Sequence, residues 1–133
     1  MIGEKNLNTL LKSMNPILHD GEYVFCLVNT LETIDVNTTI MIFKEQEGIT
    51  IIIERNMADQ LGLAYSFIAN WITLSVHSSL EAVGLTAAFS KALSDAGISC
   101  NVVAGYYHDH IFVDRKDARK AMEVLTELAS KSK

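Results

Sequence analysis

The sequence is poor in the residues that staple, span or neutralise. It has one proline, Pro16, and 7 glycines in 133 residues, without repetition of short motifs, which excludes collagen-like and low-complexity chains. It has two cysteines, Cys26 and Cys100, each inside an apolar run, YVFCLV and ISCNVV. Two such thiols predict buried, reduced side chains in place of a disulfide, and a cytoplasmic location. A chain of this length buries roughly two-thirds of its unfolded surface, so it needs no metal or disulfide to fold as one domain or two small units. Basic residues are few: 11 Lys and Arg against 16 Asp and Glu give a net charge of −5. Those 11 are scattered, which excludes a nucleic-acid partner, because phosphate neutralisation needs clustered cations. The start, MIGEKNLNTLLKSM, carries Glu4 and no apolar stretch of the signal-peptide kind. Residues 62–80 carry no formal charge, long enough for a membrane span, but Ser66, Asn70, Thr73, Ser75, His77, Ser78 and Ser79 interrupt them and exclude one. A G-x-S-x-G nucleophile motif is missing, and both cysteines sit where thiols are inert. No cofactor motif is found.

What is present is periodicity. Leu7, Leu10, Leu11 and Met14 recur at helical spacing and predict a short helix over 4–14 that Pro16 ends. EYVFCLVN reads as a strand, TLETIDVN (30–37) as a polar connection, and TIMIFK and GITIIIE as a hairpin around Glu45-Gln46-Glu47-Gly48. NMADQLGL (56–63) reads as a helix capped by Asn56, and WITLSV (71–76) as a strand. Leu85, Ala88, Phe89, Ala92, Leu93 and Ala96 share one face of a helix running from about Leu80 to Ala96, with Gly97 closing it. SCNVVAGY and HIFVD are two more strands, and Ala118, Ala121, Met122, Leu125, Leu128 and Ala129 mark a last helix.

An internal repeat organises these elements. IIIERNMAD (51–59) and IFVDRKDAR (111–119) align at an offset of 60: Ile51 with Ile111, Ile53 with Val113, Glu54 with Asp114, Arg55 with Arg115, Ala58 with Ala118. Each copy is the second strand of a hairpin entering a helix. YVFCLVN then matches WITLSVH, with the first helix of the first copy shrunk to 30–37 and the helix at 4–14 filling its space. Two β-α-β-β-α units in tandem, residues 1–65 and 66–133, predict an α+β fold with helices layered on antiparallel sheet.

Two stretches carry chemistry. In SSLEAVGL (78–85) a strand feeds a helix start, whose free N–H groups suit a carboxylate, with Gly84 allowing close approach. The same letters also read as a capping box, Ser78-x-x-Glu81, with no ligand. In GYYHDHIFV (105–113), His108 and His110 stand two apart, and a strand returning beside WITLSVH brings His77 toward His110. A metal site on His77, His108 and His110, in a small metalloprotein or hydrolase, is one reading. The other is that Tyr107-His108-Asp109 forms a hairpin turn and His110 begins the strand. Trp71, Tyr65 and Phe67 fall at the join of the units and read as core or interface. His19-Asp20 before Gly21 reads as turn chemistry.

Residues 72–113, ITLSVHSSLEAVGLTAAFSKALSDAGISCNVVAGYYHDHIFV, resemble the ACT-domain superfamily, small regulatory domains that bind amino acids and related metabolites. SLEAVGLTAAFSKAL and GYYHDHIFV are similar to small bacterial proteins with two tandem ACT-like units, and more distantly to the ACT units of cytosolic arginine sensors. The first helix opens without the usual Asp-x-Pro-Gly. The resemblance implies ferredoxin-like βαββα units in tandem, with helices on one face of antiparallel sheet. It implies a non-enzymatic regulatory protein, a homodimer, whose ligand is an amino acid. It also implies a site of Ser78, Ser79, Glu81, Val83, Gly84 and Leu85 with Tyr107, His108 and Asp109. There Ser78 or Ser79 would meet a carboxylate, and Glu81 and Asp109 an amino group. The remaining alternative is a ligand-free interaction module, accessory to transport or metabolism.

Overall fold

Runs of alternating apolar residues become strands, and runs of period 3.6 become helices. A computed structural model of the chain describes residues 6–76 and 83–131. In chain order these form α1 (Leu7–Ser13), β1 (Asn15–Leu18), β2 (Tyr23–Val28), β3 (Thr39–Lys44), β4 (Ile49–Glu54), α2 (Arg55–Gln60), β5 (Ile68–Ser75), α3 (Leu85–Asp95), β6 (Asn101–Ala104), β7 (Asp109–Asp114) and α4 (Ala118–Lys131). Single 3-10 turns lie at Val36–Thr38 and Arg115–Asp117. The fold has two compact units, Asp20–Asn70 and Met1–His19 with Trp71–Lys133.

In the unit Asp20–Asn70 the strands lie in the order β3-β4-β2, and Tyr23 and Val24 pair with Ala69 and Ile68 at the start of β5. Val24, Cys26, Ile51 and Ile53 point to one face of this antiparallel sheet and bury against Ala58 of α2 and Ile34 of the polar connection. Between β2 and β3 that connection holds only the 3-10 turn. Arg55 anchors the entry to α2: its backbone N–H donates to the Glu22 carbonyl at 2.9 Å and its Nη1 meets the Glu22 carboxylate at 2.8 Å. Its Nε donates to the Tyr65 hydroxyl at 3.0 Å. Glu54 occupies the cap position of α2 without a side-chain bond, and Asn56, expected there, is the second residue of the helix. The Arg55 anchor does the work of a cap at that end.

In the other unit the order is β1-β5-β7-β6. Ile72 and Leu74 of β5 and Ile111 and Val113 of β7 form the face that α3 and α4 cover through Phe89, Leu93, Ala121 and Leu125, all inaccessible to solvent. Helix α1 packs into this same core through Leu10, Leu11 and Met14. The expectation that it fills the place of the helix missing from the first repeat is therefore overturned. An isolated helix of seven residues is unstable in water, so α1 is held by that apolar docking and by Asn6, whose side chain accepts from the Thr9 N–H at 3.0 Å.

Strand β1 was not legible beforehand. It is four residues long, contains Pro16, and among the described strands pairs with β5 alone, an edge where a residue without an N–H is tolerated. Helix α3 starts at Leu85, later than the apolar pattern indicates, because Gly84 stands before it at φ +98, outside helical geometry. The repeat is visible in the coordinates: β4 and β7, Ile49–Glu54 and Asp109–Asp114, keep the offset of 60 at both ends. In each, three consecutive residues are fully buried before the chain turns into helix.

Candidate functional site

The β6–β7 hairpin carries the densest polar chemistry of its unit. Register pairs Ala104 with Asp109 and Val103 with His110, and the turn between closes by the Gly105 N–H donating to the His108 carbonyl at 2.9 Å. Asp109 is thus the first residue of β7, not a turn residue as the sequence suggested. Its side chain is relieved of turn duties and half-buried. Burial pushes its carboxyl above the usual range, and the neighbouring His108 works against that shift. No ion pair among the described residues reaches it. Tyr106 and Tyr107 stand out from the turn, 67% and 55% exposed, with rings edge to face at 5.2 Å. His108 Nδ1 lies 3.3 Å from the Val76 carbonyl, which brings the end of β5 against the hairpin as predicted.

His110 faces away from the helices with Trp71, Thr73 and Phe112, since Ile72, Leu74 and Ile111 take the other face. The Trp71 Nε1–H donates to His110 Nδ1 at 3.1 Å, and Thr73 Oγ1 lies 3.0 Å from the same nitrogen. His19 Nε2 lies 2.6 Å from Thr73 Oγ1, and its ring stacks on Trp71 with centroids 3.6 Å apart. The Phe112 ring lies parallel to Trp71 at 6.1 Å and is 1% exposed. Burial, with His108 and His19 adding to it, lowers the His110 imidazole below its ordinary value. With its Nδ1 engaged, His110 has one nitrogen left for a metal, and the described residues hold no group of three or more His, Cys, Asp or Glu suited to an ion. His77, the third member of the metal alternative, lies outside the described residues, as do Ser78, Ser79 and Glu81.

Of the expected helix-start residues, Val83 is 84% exposed, Gly84 is partly buried, and Leu85 is a core side chain at 3%. The Gly84 carbonyl accepts the first helical bond, from the Ala88 N–H at 2.9 Å. A Cβ built on Gly84 would sit 3.2 Å from Leu7 Cδ2. The close approach that glycine permits here is made by α1. No hydrogen bond or ring contact among the described residues joins 83–85 to 107–109. His19 and Thr73 were missed at the sequence level. His19 lies 54 residues from its partner, and only the undetected β1 brings it alongside β5.

Each unit is therefore antiparallel sheet with helix on one face, the ferredoxin-like α+β class. Two ACT-domain family models match the sequence, one over residues 2–70 and one over 66–127. The chain belongs to the ACT-domain family, as a tandem pair. ACT sequence accounts for residues 2–127, so the chain is a regulatory, small-ligand-binding module. Among solved structures, it is 50% identical to a Vibrio cholerae protein of unknown function described as a possible transport protein. That match has a TM-score of 0.84 and covers 94% of this chain and 97% of that one. A protein from Agrobacterium tumefaciens is 16% identical, with TM-score 0.70 over 87% and 89% of the two chains. The ligand-free regulatory subunit of aspartate kinase from Thermus thermophilus shares the fold at 8% identity, TM-score 0.63, over 87% and 96%. No curated protein sequence matches the chain. No described helix is long and apolar enough to cross a membrane.

Proposed function

We propose that this chain is a cytoplasmic, homodimeric sensor of a free amino acid, built of repeats 1–65 and 66–133. Asp109 is the group for the ligand's ammonium. The observation that carries the reading is the state of that side chain. It is a carboxylate at the mouth of the β6–β7 hairpin, desolvated enough to raise its pKa, with no ion pair from the described residues. Burying a charge without a partner is unfavourable, and an ammonium supplied from outside relieves it. Tyr107 and His108 precede Asp109, and Val83 and the Gly84 backbone precede the α3 N-terminus, whose dipole favours a carboxylate. Ser78, Ser79, Glu81 and the Leu85 N–H complete the set by sequence. Occupancy then couples to oligomeric state or to a partner protein by favouring one packing of the repeats.

A second reading, a ligand-free interaction module, draws on Leu7: that side chain already fills the open side of Gly84. A thermal-shift screen with the twenty amino acids separates the two. A ligand at about 100 times its Kd stabilises by about 2.7 kcal/mol, so the sensor reading predicts a clear upward shift with one or a few amino acids. It also predicts loss of that shift in Asp109→Asn. A flat screen at millimolar concentration contradicts the sensor and favours the module.

A further inference from the structure

The row His19, Thr73, His110, Trp71 has one self-consistent assignment of protons. Indole Nε1 can only donate, so the Trp71 contact at 3.1 Å makes His110 Nδ1 an acceptor, and the ring proton of neutral His110 is on Nε2. Thr73 Oγ1, at 3.0 Å from that nitrogen, then donates its hydroxyl proton to it. With that proton committed, the 2.6 Å contact to His19 requires His19 Nε2–H to donate to Thr73 Oγ1. The row reads His19 to Thr73 to His110, with Trp71 donating to the same end point. Two donors converge on one lone pair. On the other edge of the ring, His110 Nε2 and Cδ2 lie against the turn: a Cβ on Gly105 would stand 3.2 and 3.3 Å from them. The imidazole is thus wedged between β5 and the backbone of the β6–β7 turn.

We infer that these four residues form a proton-operated latch: a proton arriving at His110 Nδ1 removes the acceptor that holds the Trp71 indole and loosens the side-chain tie between β5 and the turn end of the β6–β7 hairpin, whose strand β7 stays paired to β5. A protonated Nδ1 is itself a donor: the Trp71 indole, which can only donate, loses its acceptor across 3.1 Å, and Thr73 keeps its contact only by turning its hydroxyl proton away and accepting. Among the described residues, the titratable groups acting on His110 are His108, on its own hairpin, and His19 after β1, with Asp109 its neighbour in the chain. Among the described residues, β5 offers it Trp71 and Thr73, and α3 and α4 lie on the opposite face. The latch goes beyond the ligand reading and does not depend on it, although the loosened turn is the one that bears Tyr107, His108 and Asp109. Since His110 lies below its ordinary 6.5, the latch is closed at neutral pH and opens as the pH falls below that value.

Trp71 is the only tryptophan, so its emission reports the latch directly. The experiment follows emission from about pH 8 to about pH 4.5 in the wild-type chain, His110→Asn and His19→Gln. Asparagine places an oxygen acceptor near the Nδ1 position without a titrating group, and glutamine keeps a donor for Thr73. The latch predicts one transition centred below pH 6.5 in the wild type, the same transition in His19→Gln, and none in His110→Asn. A flat wild-type profile, a transition that survives His110→Asn, or one that disappears in His19→Gln overturns it. Should His110→Asn fail to fold, ring-nitrogen NMR of the wild type decides. Nδ1 must gain its proton through the emission transition, with faster amide exchange over residues 105–110. An Nδ1 that stays unprotonated through that transition refutes the latch.

Discussion

Replacing Gly84 by alanine isolates the energetics of the α1–α3 junction. Gly84 holds φ +98 ahead of α3, a conformation that L residues rarely adopt. Placing a Cβ in left-handed backbone costs roughly 1–2 kcal/mol. The new methyl also stands 3.2 Å from Leu7 Cδ2, tighter than ordinary contact, so Leu7 must yield by a few tenths of an ångström. Leu7 is partly buried at the end of α1 and its far atoms can rotate, which keeps the steric part below the backbone part. The expected loss in Gly84→Ala is about 1–2 kcal/mol, mostly strain. For a chain of this size that corresponds to a Tm lowered by about 4–8 °C. Urea denaturation of the wild type, Gly84→Ala, Leu7→Ala and the double variant separates the two parts. The coupling energy of the cycle is the steric part and should be about 0.5 kcal/mol, with Gly84→Ala relieved in the Leu7→Ala background. A Gly84→Ala variant as stable as wild type refutes the reasoning, because it removes both the strain and the contact.

Three further outcomes are expected. Asp109→Asn should make the ligand-free protein more stable at neutral pH. A carboxyl whose folded pKa is raised binds protons more tightly folded than unfolded, so its charged form opposes folding above the unfolded value of 3.8. Wild-type stability relative to Asp109→Asn should therefore decline as pH rises from that value, and melts at several pH values check it. Cys100 should react slowly with a thiol reagent at pH near 8, since burial pushes its thiol up to about 11 despite the opposing hydrogen bond with Ser90. Labelling as fast as in the denatured chain would contradict this. Phe89→Ala, in the middle of α3 and fully buried, should cost about 3–5 kcal/mol, read by denaturant titration. A cost under about 1 kcal/mol would mean that α3 does not cover the β5–β7 face.

Much of this arrangement was legible in the letters, because it follows from pattern. The offset between Ile49–Glu54 and Asp109–Asp114, the covered face of β5 and β7, and the stripe on α4 are all local periodicities. What was hidden depends on long-range placement. A four-residue strand with a proline gives no alternation to read, so β1 was missed, and with it the route by which His19 reaches Thr73. Gly84 looked like room for a ligand because a sequence does not say which neighbour comes close, and Leu7 lies 77 positions away. Asp109 looked like a turn residue because aspartate favours turns. Register placed it one step into β7, where its charge is partly withdrawn from water.

The central claim is that an amino-acid ligand engages the turn of the β6–β7 hairpin, which begins with Gly105. Backbone amide shift mapping of the isotopically labelled protein, titrated with the amino acid that stabilises it most, tests that claim directly. The account predicts saturable shifts concentrated at Tyr107, His108 and Asp109 and at Val83 to Leu85, abolished in Asp109→Asn. Saturable shifts confined to other residues, or shifts undiminished in Asp109→Asn, would contradict it.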